Sequence, residues 1–206
     1  GSFLYVRFHH VIIDGYGMSL FVQKVLDVLA GKKIARSVFF QESEKGGQED
    51  SFWRSYFDGA EFESAIFPQK AEGNRLKKWR VSVPEQLMKE AEAFGEREDI
   101  SIPYIFAAAY AFYLAQATDK KDAVFLMPRL NRAPGQMDTL GCYTLLVPVR
   151  VQVERTDTFA ELGRKVKRAS GEASAHKGCG FDRILSALRD ENIVGESLSE
   201  YVFNFY

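Results

Sequence analysis

Two histidines, a carboxylate and a glycine stand close together near the start of the chain, in Phe8-His9-His10-Val11-Ile12-Ile13-Asp14-Gly15. Imidazole is the side chain best suited to take or give a proton near neutral pH. Only three histidines occur in 206 residues, and two of them are adjacent here. The first place to look for catalysis is therefore this segment.

The surrounding residues predict how these groups are presented. From Phe3 to Phe8 nearly every residue is aromatic or β-branched, the composition of a strand. Alternation puts Leu4, Val6, Phe8 and His10 on one face and Phe3, Tyr5, Arg7 and His9 on the other. His10 is expected to project toward a core or a covered tunnel, where burial favours the neutral ring. His9 is expected to point the opposite way. Gly15 and Gly17 mark a tight turn with unusual backbone angles. A helix follows, with Met18, Phe21, Val22, Val25, Leu26 and Leu29 at helical spacing and Gly31 as its stop. At that junction Asp14 has three readings: a helix cap, an orienter of a ring nitrogen, or the partner of an arginine elsewhere. A metal centre would have to draw on His10, Asp14 and His176. Adjacent strand histidines face opposite sides, and no Cys or Glu cluster joins them, so no metal site is expected.

Beyond the first helix, Ile34 to Asn74 is polar and glycine-containing and reads as a surface connection. Within it, Ser51 to Phe57 is predicted to be a short helix whose aromatics dock on a lobe. Trp79 to Val83 alternates as a strand, and Pro84 opens a helix through about Glu96. Ser101 is expected to cap the next helix, Ile102 to Ala117, which is apolar almost all round and so predicted buried. Ala123 to Met127 and Leu145 to Val153 are predicted strands, the second with Val147, Val149, Val151 and Val153 on one face. Pro148 favours a sheet edge or a break in pairing. Thr158 to Ala173 and Phe181 to Arg189 are predicted helices. Alternating strands and helices of these lengths argue for an α/β fold, an α+β sandwich.

Composition narrows the classes further. The chain is 46% hydrophobic and 27% charged, enough for one large core or two small ones. A net charge of −1 makes no electrostatic case for nucleic acid. No apolar run reaches the roughly 18 residues that span a bilayer. The two cysteines, Cys142 and Cys179, make no disulfide framework, and a cytoplasmic location is expected.

The string His9-His10-x-x-x-Asp14-Gly15 resembles the His-His-x-x-x-Asp-Gly signature of condensation domains of nonribosomal peptide synthetases, members of the chloramphenicol acetyltransferase fold group. Later segments extend the resemblance in the family's order. Gly141-Cys142-Tyr143-Thr144-Leu145-Leu146-Val147-Pro148-Val149-Arg150 is similar to Gly-x-Phe-Val-Asn-Thr-x-x-x-Arg, and His176-Lys177-Gly178-Cys179-Gly180-Phe181-Asp182 is similar to His-Gln-x-x-Pro-Phe-Glu. Pro128 to Arg132 sits where the family has a strand ending in Gly-Arg. The chain departs from the pattern at Leu145, which holds the family's Asn position. An epimerisation domain would continue into Ser-Trp after the glycine, and a cyclisation domain would replace the histidines with aspartate.

The resemblance implies two similar lobes meeting at a tunnel, with this chain a fragment: the end of the first lobe over residues 3–75 and most of the second over 76–206. It implies amide formation between an acyl or peptidyl thioester donor and an aminoacyl acceptor. Both would be tethered to phosphopantetheine arms of peptidyl carrier protein domains beside an adenylation domain, with no tightly bound cofactor. On that reading His10 is the base or the group that orients the amine, with His9 beside it. Asp14 is structural and paired with Arg132 or, second, Arg150. The Gly15 N–H is a candidate oxyanion donor. Two other functions remain: acyl transfer from a free thioester such as acyl-CoA on the same fold, or a catalytically impaired carrier-docking domain, which Leu145 motivates. Arg164, Lys165, Lys167 and Arg168 form a basic run that would suit an acidic carrier.

Overall fold

The computed structural model describes residues 3–35, 48–66 and 78–205. They fall into two compact units, one drawn from Gly1–Glu44 and Arg129–Leu145, the other from Lys45–Pro128 and Leu146–Tyr206. The lobe boundary expected at residues 75 and 76 lies outside the described residues, as does much of the predicted polar connection.

In the first unit, α1 (Gly15–Leu29) forms as its apolar spacing predicts, and Gly31 follows its end with φ of 76°. Phe3 to Phe8 is not a strand. A strand satisfies its N–H and C=O groups on another segment, and no described residue pairs with this one. Leu4 and Val6 are exposed, while Phe8 packs edge-on to Phe21 of α1 with ring centroids 4.9 Å apart. Met18, Val22, Leu26 and Leu29 are exposed along α1.

The second unit holds α2 (Gln48–Phe57), α3 (Glu85–Glu98), α4 (Ile102–Thr118), α5 (Phe159–Ala175) and α6 (Phe181–Asp190). Between α4 and α5 run β1 (Asp122–Leu130) and β2 (Thr144–Gln152). The Asn131 N–H donates to the Tyr143 carbonyl (3.0 Å) past one end of the pair, and the Val153 N–H to the Lys121 carbonyl (2.8 Å) past the other. The strands are therefore antiparallel. On its other side β1 meets residues 201–203: the Leu126 N–H donates to the Tyr201 carbonyl (2.8 Å) and the Phe203 N–H to the Leu126 carbonyl (2.9 Å). Among the described residues β2 thus forms a sheet edge, where Pro148 removes no ladder bond.

Both strands put apolar side chains into one core. Val124, Phe125 and Met127 of β1 meet Val147, Val149 and Val151 of β2, with Ala107, Ala111 and Leu114 of α4, Leu162 and Val166 of α5, and Ile184 and Leu188 of α6. Full burial of a side chain of this size is worth about 1.5–3 kcal/mol. From α2, Trp53 and Phe57 are wholly buried in the same cluster, so the predicted aromatic docking helix is one of its walls. Close approach of α5 to the loop after α3 depends on Gly163, whose added Cβ would fall 2.8 Å from Ile100 Cδ1.

Three expectations need correction. Trp79 to Val83 is no strand: Trp79 and Val81 are almost fully exposed and no described segment pairs with them. Helix α4 is not buried all round, because Phe112 and Tyr113 are half exposed. Ser101 stands at the start of α4, but its cap is the backbone carbonyl, which accepts from Tyr104 and Ile105, rather than its hydroxyl. Among the described residues no single helix is long and apolar enough to cross a membrane.

Candidate functional site

The site is built on the first turn of α1. Asp14 is the N-cap: its Oδ1 accepts the Gly17 N–H at 2.7 Å and its carbonyl accepts the Met18 N–H at 2.9 Å. Capping alone leaves a carboxylate facing solvent, but Asp14 is only 1% exposed. Its second oxygen accepts from the Tyr143 N–H at 2.8 Å and the Thr144 hydroxyl at 3.2 Å, and Arg132 Nη2 stands 3.4 Å from Oδ1. Burial pushes the Asp14 carboxyl up. The Gly17 and Tyr143 N–H groups, the Arg132 guanidinium and the Thr144 hydroxyl together outweigh it and hold the group below the ordinary carboxylate range. Asp14 is thus an anion locked in place, with its acceptor sites committed and none left for a migrating proton.

Arg132 is fixed from several sides. Nη1 donates to the carbonyls of Gln136 (3.3 Å) and Thr139, and Nη2 donates to the Gly141 carbonyl (3.1 Å). That same carbonyl accepts the Asp14 N–H at 3.3 Å. The segment after β1 is therefore wrapped around one guanidinium and stitched to the Asp14 turn at side chain and backbone alike.

Of the two arginines expected as partners of Asp14, Arg132 faces it and Arg150 does not. Arg150 is a correction: it grips Asp122 at two points, Nε to Oδ1 at 2.8 Å and Nη2 to Oδ2 at 3.2 Å, in the second unit. Nη1 also donates to the carbonyls of Tyr56 (2.8 Å) and Asp58 (3.0 Å). Burial pushes the Tyr56 hydroxyl up to about 12, and that hydroxyl accepts the Arg150 N–H at 2.9 Å. Arg150 ties α2 to the start of β1, where an acidic partner was already waiting within its own unit.

The histidines are not where strand alternation predicts. His10 is exposed and lies in a turn spanning residues 10–12, so the burial expected for it is absent. His9 is also exposed. Its carbonyl accepts the Ile12 N–H at 3.1 Å and its Nδ1 accepts the Val11 N–H at 3.2 Å, which commits that ring nitrogen to the backbone. Only from Ile13, 4% exposed, does the chain enter the interior. The two glycines also act differently from expectation, since neither has a positive φ. Gly17 is required by close approach: an added Cβ would lie 2.7 Å from Ile13 Cγ1 and 2.8 Å from the Gly141 oxygen. Around Gly15 there is open space, and its N–H falls at the helix start, where no intrahelical acceptor exists.

His176 closes α5 in the second unit. Its ring stacks on Phe52 with centroids 3.6 Å apart, and its Nδ1 lies 2.9 Å from Glu49 Oε2. The Trp53 indole N–H donates to its carbonyl at 3.2 Å. This is a packing role, and among the described residues no group of His, Cys, Asp and Glu is arranged to hold a metal ion. Cys142 is exposed, and burial raises the Cys179 thiol above its ordinary range. The basic run on α5 is largely neutralised: Arg164 pairs with Glu98 (2.8 Å), Lys165 with Asp157 (2.8 Å) and Lys167 with Asp99 (3.1 Å). Leu145, at the family's Asn position, is half-buried near the start of β2. Sequence reasoning missed Tyr16, Thr144 and the carbonyls of Gln136 and Thr139. Backbone acceptors leave no trace in residue type, and only the neighbourhood of Tyr16 to Asp14 offered a signal.

The fold is that of the chloramphenicol acetyltransferase group in its condensation-domain form. The first condensation domain of the CDA synthetase is similar with a TM-score of 0.72 at 19% identity, covering 93% of this chain and 46% of that one. A variant of the starter condensation domain of rhizomide synthetase RzmA, solved in complex with C8-CoA and Leu-SNAC, gives 0.73 at 17% identity over 96% of this chain and 48% of that one. Residues 1–206 match the condensation domain family, and the chain belongs to it. Among curated proteins it is similar to surfactin synthase subunit 1 of Bacillus subtilis (strain 168), 22% identical over 90% of this chain and 6% of that protein. The chain therefore spans about half of the solved condensation domains it matches and a small part of the curated synthetase.

Proposed function

We propose that this chain is part of a domain that joins two carrier-borne building blocks by an amide bond in nonribosomal peptide synthesis. The neutral amine of an aminoacyl acceptor attacks the carbonyl carbon of an acyl or peptidyl thioester donor. The C–N bond forms, the C–S bond breaks, the sulfur leaves as the thiol of the donor's phosphopantetheine arm, and the amine gives up one proton. An α-amino group has a pKa near 8, so a sizeable minority is neutral at pH 7 and the base has a modest task. His10 takes that proton or orients the amine, His9 flanks it, Asp14 and Arg132 hold the turn, and the Gly15 N–H meets the developing oxyanion. The partners on this reading are donor and acceptor peptidyl carrier protein domains, with an adenylation domain alongside.

The observation that supports this reading most is the presentation of His10. An exposed imidazole stands four positions before a carboxylate that is buried, ionised and fully bonded, in a chain of the condensation domain family. The test is His10→Ala in the full-length synthetase with both carriers loaded. Amide formation should fall by about tenfold or more, and an unchanged rate removes the reading.

A second reading, acyl transfer from a free thioester, is favoured by the C8-CoA bound to the rhizomide synthetase domain of similar fold. Transfer from acyl-CoA to a soluble amine in the absence of any carrier would select it.

A further inference from the structure

The Asp14–Arg132 contact is long for a charge-assisted bond. Such bonds run about 2.7–2.9 Å, whereas Nη2 lies 3.4 Å from Oδ1. Mutual attraction of the charges is therefore not what aims the guanidinium. Its two terminal nitrogens are aimed by three carbonyls, of Gln136, Thr139 and Gly141. Its Nε is buried and has no hydrogen-bond partner among the described residues. What remains is the π-surface. The guanidinium carbon lies 4.2 Å from the ring centroid of Tyr143 and 4.8 Å from that of Tyr16, both inside cation–π range.

Both tyrosines are tied to Asp14 a second way. Tyr143 donates its backbone N–H to Asp14 Oδ2, and Tyr16 is in the first helical turn that Asp14 caps. Gly141 leaves the Tyr143 ring its place: a Cβ there would sit 2.5 Å from Cε2 and 2.8 Å from Cζ of that ring. The ring is in turn packed on Arg132, so it has little freedom to give way.

We propose that Tyr16 and Tyr143 are positioning residues for the turn that presents His10, acting through Arg132, with Gly141 as the clearance that lets Tyr143 reach it. The faces of the rings do this. The consequence for rate rests on the role given to His10 above; the consequence for the Asp14 turn does not.

The test uses Tyr16→Leu, Tyr143→Leu, Gly141→Ala and the conservative variants Tyr16→Phe and Tyr143→Phe in the full-length synthetase. Two quantities are read: kcat and KM for amide formation between loaded carriers, and hydrogen exchange at the Gly17 amide that Asp14 accepts. The Leu variants and Gly141→Ala should lower kcat by about tenfold to a hundredfold with little change in KM, the scale of a small misplacement near the reacting atoms. Gly17 exchange should accelerate by about tenfold as the cap loosens. The Phe variants, which keep the ring faces, should restore both, which they would not do if the hydroxyls carried the role. Wild-type kcat and exchange in the Leu variants would overturn the proposal, as would Phe variants that fall as far as Leu. Should a Leu variant fail to fold, Gly141→Ala decides, since it moves the ring while keeping the tyrosine. If the unmodified synthetase forms no amide yet Gly17 exchange follows this pattern, the positioning role stands and the peptide-joining reading falls.

Discussion

Asp14 and Arg132, 118 positions apart in the chain, bury their opposite charges together with side-chain exposures of 1% and 0%. Taking two ions out of water is expensive, and the attraction regained at 3.4 Å does not offset it alone. The arrangement holds because donors from Gly17, Tyr143 and Thr144 complete the anion and carbonyls of Gln136, Thr139 and Gly141 take up the two terminal nitrogens of the cation.

Removing one charge of this pair should be severe. Asp14→Asn keeps the shape but leaves Arg132 buried without a counter-ion and turns one accepting oxygen into a donor that faces other donors. A loss of about 3–5 kcal/mol is expected, read as a fall in the urea midpoint. A double-mutant cycle with Arg132→Met should give a coupling of about 0.5–3 kcal/mol.

The pH dependence has a definite sign. The Asp14 pKa is lowered by folding, so its stabilisation is fully present above the ordinary carboxylate value of about 3.9 and is lost as pH falls through the folded value. Asp50, held down by its bond from Arg183, follows the same sign. The unfolding midpoint should therefore stay nearly level from pH 7 to about 5 and drop below about 4. Asp14→Asn should make that drop shallower, and a drop of unaltered depth would exclude Asp14 as a contributor.

The two glycines of the turn should separate cleanly. Gly17→Ala drives a methyl against the Gly141 carbonyl oxygen, a backbone atom that cannot rotate away. The gain in helix propensity, about 1 kcal/mol, should be outweighed by overpacking of about 1–3 kcal/mol. Gly15→Ala meets nothing within 4 Å and should be neutral or stabilising by up to about 1 kcal/mol. Thermal unfolding of the two variants side by side checks this.

In the second unit, Asp122→Asn should cost up to about 3 kcal/mol by leaving the partly buried Arg150 without its counter-ion. Tyr56→Phe deletes the hydroxyl bonded to the Arg150 backbone and should cost about 1 kcal/mol. Neither should alter Gly17 amide exchange, because both act within the other compact unit.

Helices were legible in the sequence, and strands only where an apolar face meets the core. The apolar spacings of α1, α5 and α6 and the core valines of β2 carry their own signal, because a helix closes its hydrogen bonds locally and a strand laid on a core keeps its inward face apolar. Phe3 to Phe8 and Trp79 to Val83 look equally strand-like, but strand bonds lie on a second segment, and residue type does not say whether one arrives. The exposure of His10 was lost with the first of these, since its predicted burial depended on a pleat that does not form.

The residues alone placed His9, His10, Asp14 and Gly15 at a chain junction ahead of a helix, and the family resemblance reduced the partner of Asp14 to two arginines, Arg132 first and Arg150 second. Choosing between Arg132 and Arg150 was beyond composition and spacing, because both are single guanidiniums of equal charge. The folded chain decides by proximity: Asp122 lies within reach of Arg150, while the loop after β1 brings Arg132, its carbonyls and the Tyr143 ring to the cap of α1, where Tyr16 meets the guanidinium. Local preference follows from side-chain chemistry, but a buried charge takes its partner from whatever the packing brings within a few ångströms.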